Sequence, residues 1–224
     1  MPSHASWRRR SNMNSPQRRW LLTLASFVVV MVLLAVALST PPAASWLQRF
    51  GRRPLNGRDL GEPGWPAAFD LQDVEGRERT AADLRGRVAL VAFGYTHCPD
   101  TCPATLARLA AVRRLLGKDA EKVQVVFITI DPERDDALLL GNYVGAFDAS
   151  FWALRGSSSQ IDATARAFHA EYHLSREGSE VLVEHTVDVF LVNPQGSIRD
   201  VLPPYLTAKQ VADDVHAELR EASL

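Results

Sequence analysis

The run Val88-Ala-Leu-Val-Ala-Phe-Gly-Tyr95 holds no charge and shows no apolar–polar alternation. A strand with one wet face alternates with a period of two. One that is apolar throughout must be covered on both faces, as in a sheet sandwiched between helices. Val123-Gln-Val-Val-Phe-Ile-Thr-Ile130 repeats the pattern, so the chain must supply helices around a central sheet. Between the two runs, Leu106, Leu109, Ala110, Val112, Leu115 and Leu116 fall at helical spacing within 99–117, and Gly117 stands as the C-cap. Asp131-Pro132 predicts an N-cap and N1 proline opening a helix to about Phe147. The remaining pattern predicts a short strand at 151–154 and a helix over 157–172 with Ile161, Ala165 and Phe168 on one face. A strand at 187–192, a turn at 193–196 and a hairpin partner at 197–202 follow, and Thr207 caps a last helix to about Ala222. This order describes an α/β sandwich, a central mixed sheet flanked by helices.

Ahead of that body the chain changes character. Trp20 to Leu38 is nineteen residues without a charge, about 28 Å as a helix against the ~30 Å of a bilayer core. Arg8, Arg9, Arg10, Arg18 and Arg19 precede it with no acid among them, so the positive-inside rule places the N-terminus in the cytoplasm and exports everything after Thr40. The expected plan is a cytoplasmic basic tail (1–19), a transmembrane helix (20–38), a Pro/Gly-rich linker (39–66) and a globular domain (67–224). A cleaved signal peptide is the alternative, since Ala35-Val36-Ala37 fits a cleavage site and Arg18-Arg19-Trp20-Leu21-Leu22 resembles a twin-arginine signal. The run exceeds the roughly 7–15 residues of a signal's apolar region, which favours the anchor. Setting the five arginines aside leaves 20 of the chain's 25 basic residues against all 26 acidic ones, a net of −6. An acidic body does not suit phosphate contact and excludes a nucleic-acid binder. Two cysteines in 224 residues exclude a disulfide-stapled scaffold.

Those cysteines carry the chemistry. Gly94-Tyr-Thr-His-Cys98-Pro-Asp-Thr-Cys102-Pro103 follows a buried strand and opens a helix, the end of a sheet where ligands gather in α/β folds. A spacing of four puts both sulfurs on one face if the helix begins at Pro99. The helix N-terminus favours thiolate. Two thiolates there can close a disulfide or hold a soft metal; the plain alternative is a pair of buried structural cysteines. In an oxidising compartment the apo protein is expected to form the intramolecular disulfide. A metal needs a third ligand, and His185, just before the strand at 187–192, is the best candidate. Two thiolates and an imidazole suit monovalent copper and serve divalent copper as well.

Three stretches together resemble a known family. Phe93-Gly-Tyr-Thr-His-Cys-Pro-Asp-Thr-Cys-Pro103, Asp131-Pro-Glu-Arg-Asp135 and His185-Thr-Val-Asp-Val-Phe-Leu-Val-Asn-Pro-Gln-Gly196 are similar, in order and spacing, to the signatures of the Sco/SenC proteins. These are membrane-tethered, thioredoxin-fold copper chaperones for cytochrome c oxidase. The resemblance covers roughly Phe69 to Leu219. It implies a thioredoxin-like fold and one copper ion, Cu(I) or Cu(II), held by Cys98, Cys102 and His185. It also implies delivery of copper to, or thiol maintenance of, the binuclear centre in subunit II. The implied setting is the bacterial inner membrane with the domain in the periplasm, where other copper carriers or thiol reductants would be further partners. Asp136-Ala137 stands where the family often has Thr-Pro, which predicts a looser helix start but touches no ligand.

Other readings compete. A periplasmic thiol–disulfide oxidoreductase would place a cis-proline beside its cysteines, yet no proline occurs between Pro132 and Pro194. A peroxiredoxin would need Thr or Ser three residues, and Pro seven residues, before its cysteine, but Val91 holds the latter place. A copper or redox sensor would look the same in sequence. Asp131, Glu133 and Asp135 read as first-turn partners of a helix dipole. His97 reads as a neighbour that tunes Cys98. His169 and His173 read as the solvated face of a helix.

Overall fold

The computed structural model describes residues 16–39, 55–61, 64–177 and 180–222. The basic tail up to residue 15 and most of the expected linker, 40–54, lie outside the described residues. Contacts divide the chain into two units, Met1–Arg53 and Pro54–Leu224.

In the first unit, helix α1 spans Pro16–Ser39. Its described side chains are all exposed, Phe27 and Leu33 among them. Among the described residues, no helix is long and apolar enough to cross a membrane.

The second unit is built on a sheet whose strands are β1 (Arg58–Asp59), β2 (Trp65–Pro66), β3 (Asp70–Asp73), β4 (Glu78–Thr80), β5 (Val88–Gly94), β6 (Val123–Thr129), β7 (Trp152–Arg155), β10 (Val189–Val192) and β11 (Ser197–Leu202). Their order is β1-β11-β10-β5-β6-β7-β3-β4, with β2 also on β11. β5 and β6 run parallel in register from Val88↔Val123 to Gly94↔Thr129. All fourteen of their residues are buried, as their unbroken apolar runs require. β7 continues the parallel set, and β10 joins β5 antiparallel, so the sheet is mixed. A separate ribbon, β8 (Tyr172–Glu177) with β9 (Glu180–His185), stands off the main sheet.

Helices α2 (Thr101–Leu116), α3 (Ala137–Gly145), α4 (Ser158–Phe168) and α5 (Ala208–Glu221) complete the sandwich. α2 and α5 pack together. α3 faces the sheet through Tyr143 against Phe127. α4 covers the opposite face, where Phe168 meets Phe93 and Phe190 edge-on with centroids 5.6 and 5.5 Å apart. Such pairs add about 0.5–1.5 kcal/mol beyond their buried area.

Four expectations need correction. The domain starts well before residue 67: β1 and β2, inside the expected 39–66 linker, pair with β11. The helix after β6 opens at Ala137, not Pro132. Asp136 is its N-cap and accepts from the Leu139 amide at 2.8 Å, so Asp136-Ala137 makes a firm start. Asp131–Asp135 is instead a turn, closed by the amides of Arg134 and Asp135 on the Asp131 carbonyl. Finally, α4 stops at Phe168 because His169 takes a left-handed conformation (φ 52°) as its C-cap, and the chain then enters the ribbon.

Candidate metal centre

β5 ends at Gly94 and hands the chain to a short turn, in which the Cys98 amide donates to the Tyr95 carbonyl at 3.3 Å. α2 starts at Thr101 behind the N-cap Asp100, two residues later than expected. Cys98 therefore precedes the helix and Cys102 lies in its first turn. The Cys102 amide donates to the Cys98 sulfur at 3.4 Å, and the Thr101 hydroxyl lies 3.2 Å from it. Cys98 lines an open cleft with Tyr95, Pro99, Asp100, Glu184 and His185. Cys102 sits deeper, 3% exposed.

The third side chain arrives from β9. His185 pairs with Tyr172 in the ribbon. One residue on, Thr186 locks to Glu171 by a backbone bond of 2.8 Å and a hydroxyl that accepts from the Glu171 amide. The His185 imidazole meets the Thr186 carbonyl through Nδ1 at 2.8 Å and faces the Cys102 sulfur through Nε2 at 3.6 Å. With Nδ1–H donating to that carbonyl, Nε2 keeps its lone pair for a ligand. The Tyr95 ring meets the imidazole edge-on.

The electrostatics separate the two thiols. Burial opposes ionisation of Cys98, but the Thr101 hydroxyl, the Cys102 thiol and the amides of Cys102 and Asp100 outweigh it and hold its pKa below the ordinary value. Burial, with Cys98 beside it, pushes Cys102 up to about 12. Burial likewise lowers His185, against the pull of the Thr186 carbonyl, and so favours the neutral imidazole a metal requires. Both cysteines are free thiols. The two sulfurs and the imidazole nitrogen all lie within 4.8 Å of one another. A trigonal centre with bonds of roughly 2.0–2.3 Å sets its donors a little under 4 Å apart, so these three fit one ion with a small contraction.

Asp135 has a role the sequence did not disclose. It is fully buried. Its carboxylate accepts from the Thr96 amide (3.0 Å), the Thr96 hydroxyl (2.6 Å) and the Thr129 hydroxyl (2.6 Å). One acid thereby ties the cysteine turn to the end of β6. Read along the sequence it looked like a dipole partner, because its contacts are 39 and 6 residues away. His97 contacts Thr96 and Asp135 and does not join the donors. The His169 ring meets Trp65 at a tilt and His173 is exposed on β8, so the two do not share a helix face.

A mixed α/β sandwich with two thiols and an imidazole converging at the end of its central parallel strand defines a thioredoxin-like metal-site protein. Residues 60–220 match the SCO1/SenC family, and the chain belongs to it. Human SCO2 homolog, mitochondrial, is 37% identical over 155 residues, 67% of this chain and 58% of that protein. SCO2 of Saccharomyces cerevisiae is 31% identical over 149 residues, 65% of this chain and 50% of that one. The chain thus spans between half and three fifths of these relatives' length. Among solved structures, copper-bound ScoI of Bradyrhizobium japonicum matches with a TM-score of 0.64 and 31% identity, covering 69% of this chain and 99% of that one. Copper-bound yeast Sco1 matches with a TM-score of 0.64 and 27% identity, covering 70% and 90%.

Proposed function

We propose that this protein is a copper metallochaperone, anchored in the bacterial inner membrane by residues 20–38 with its domain in the periplasm. It delivers one copper ion to, or keeps reduced the thiols of, the binuclear copper centre of cytochrome c oxidase subunit II. The observation that carries this reading is the convergence of Cys98, Cys102 and His185 within 4.8 Å. Two soft sulfurs and one imidazole favour copper over harder ions, and relatives of the same fold hold copper. The exposed apolar surface around α1 and the arginines before it support the tether. Cys98, on the cleft wall, is the sulfur an incoming thiolate reaches first, so copper can leave by stepwise ligand exchange.

The asymmetry of the thiols supports a second reading for the same pair. A thiol of lowered pKa on the cleft wall beside a deeper one of raised pKa suits disulfide exchange. Cys98 would attack a partner disulfide and Cys102 would displace it. The chain's two thiols would become a disulfide as the partner's disulfide becomes two thiols. Copper content and affinity of the purified protein, prepared reduced and then oxidised, test the first reading. It expects one tightly held ion in the reduced form and weak binding in the oxidised form. Equal binding in both would remove the sulfurs from the site. Reduction of a subunit II disulfide by the copper-free thiols, with no copper transfer, would establish the second reading instead.

A further inference from the structure

Asp200 lies in β11, fully buried, and neither of its carboxylate oxygens has a hydrogen-bond partner among the described residues. Asp214, on α5, is 2% exposed and has one oxygen in the same condition. An ionised carboxylate buried without partners is strongly disfavoured, so a fold that holds Asp200 beside Asp214 favours a proton on Asp200. Arg199 favours the charged form of Asp200, but burial and the neighbouring acids outweigh it. Arg199 is engaged by Asp59 and Glu218. Asp59 itself stands opposite Asp200 in the β1–β11 register and adds a like charge. Asp213 adds another beside Asp214 on α5. From β10 the residue opposite Asp200 is the apolar Leu191.

The segment leading into β1 closes over this pair. Asn56 donates to the other oxygen of Asp214 through its backbone amide (2.9 Å) and its side-chain amide (2.7 Å), and the latter also reaches the Gln210 carbonyl. Gly57 follows so close that a Cβ there would fall 2.5 Å from both oxygens of Asp200. Burial, reinforced by the Asp214 carboxylate, raises Asp200 to about 7. Burial raises Asp214 as well. The Val201 amide favours the charged form of Asp200 but does not reach hydrogen-bond geometry.

We propose that Asp200 is a proton-binding site that latches residues 55–60 onto the domain. Protonated, it is tolerated beside the Asp214 carboxylate. Ionised, it repels that carboxylate, and Asn56 and Gly57 lift away from α5 and β11. The proton passes to solvent and nothing else is exchanged. Six released residues extend to about 20 Å, so the latch frees that length of chain as pH rises. The latch uses none of the groups at the metal centre.

Hydrogen exchange of amides 55–60 in the full chain in detergent micelles, at about pH 5 and about pH 9 and corrected for intrinsic rates, tests it. The opening constant is expected to climb about tenfold per pH unit between the ordinary carboxylate value of 3.8 and about 7, where the open form has lost the proton that the closed form keeps, and to level off above 7, where both have lost it. Asp200→Asn, the neutral isostere, is expected to show the same protection at both pH values. A flat profile in the parent, or a climb that persists in Asp200→Asn, overturns the proposal. Should that variant not fold, selective carbon-13 labelling titrates the Asp200 carboxyl in the parent. A midpoint near 7 that coincides with the pH at which the opening constant levels off supports the latch, and one near the ordinary 3.8 overturns it.

Discussion

A Cβ on Gly94 would stand 2.7 Å from the Cys102 sulfur and 2.8 Å from the Phe127 ring. The second thiol thus occupies space that the last residue of β5 leaves empty. Gly94→Ala overpacks the site and is expected to cost about 1–3 kcal/mol of stability. It also moves the sulfur relative to His185, so copper affinity falls with it. Chemical denaturation and a competition titration for monovalent copper check both effects. Parental values in each would show that the turn absorbs a methyl group.

The two thiols are expected to alkylate in order. Cys98 ionises below the ordinary thiol pKa, whereas Cys102, at about 12 against 9.0, holds roughly a thousandfold less thiolate at neutral pH than an ordinary cysteine. Iodoacetamide near pH 7 should therefore label Cys98 alone, as peptide mass spectrometry would show. Thr101→Val removes the hydroxyl beside Cys98 and should shift its labelling to higher pH. Equal rates at the two positions in the parent would contradict the asymmetry.

His185→Ala is expected to weaken copper binding by roughly a hundredfold or more, most severely for the divalent ion, and to abolish thiolate-to-copper absorption. It leaves both sulfurs in place, so disulfide formation should survive. His169→Ala and His173→Ala should change neither property. Parental affinity and spectra in His185→Ala would favour the thiol-exchange reading.

Asp135→Asn weakens the junction between the cysteine turn and β6. Loss of a charged acceptor for three donors is expected to cost about 2–3 kcal/mol. The pH profile of Cys98 alkylation should shift, because Thr96 is two residues away. Asp136→Asn, at the neighbouring helix cap, should cost about 1 kcal/mol or less and leave that profile alone. An unchanged profile in Asp135→Asn would reduce Asp135 to a purely structural part.

The core strands were legible because burial on both faces leaves a mark that needs no partner to be seen: β5, β6 and β11 fall where the apolar runs and the Asn193–Gly196 turn put them. The cysteines were legible for a similar reason, since strand, turn and helix follow one another without a gap. His185 is legible as a ligand candidate, but the sequence sets it just before β10. It closes the ribbon strand β9 and does not open β10. That ribbon leaves no local mark, because its residues, Tyr172 to His185, mix charges and glycine with no apolar period. Asp135, Asp200 and Gly57 were opaque because their meaning lies in contacts across tens of residues, which no local pattern records.

Among the described residues, His185 is carried by a ribbon that shares no ladder with the main sheet, and it lies 83 positions after Cys102. A metal joining the two would act as a buckle. It would close a long loop that the unfolded chain closes only at an entropic cost, and binding energy would become folding energy. The ribbon would then be held shut by the same bonds that hold the ion. A partner drawing copper off through Cys98 would unfasten the strap as it took the cargo, so that handing over the metal and loosening the domain's edge would be one event.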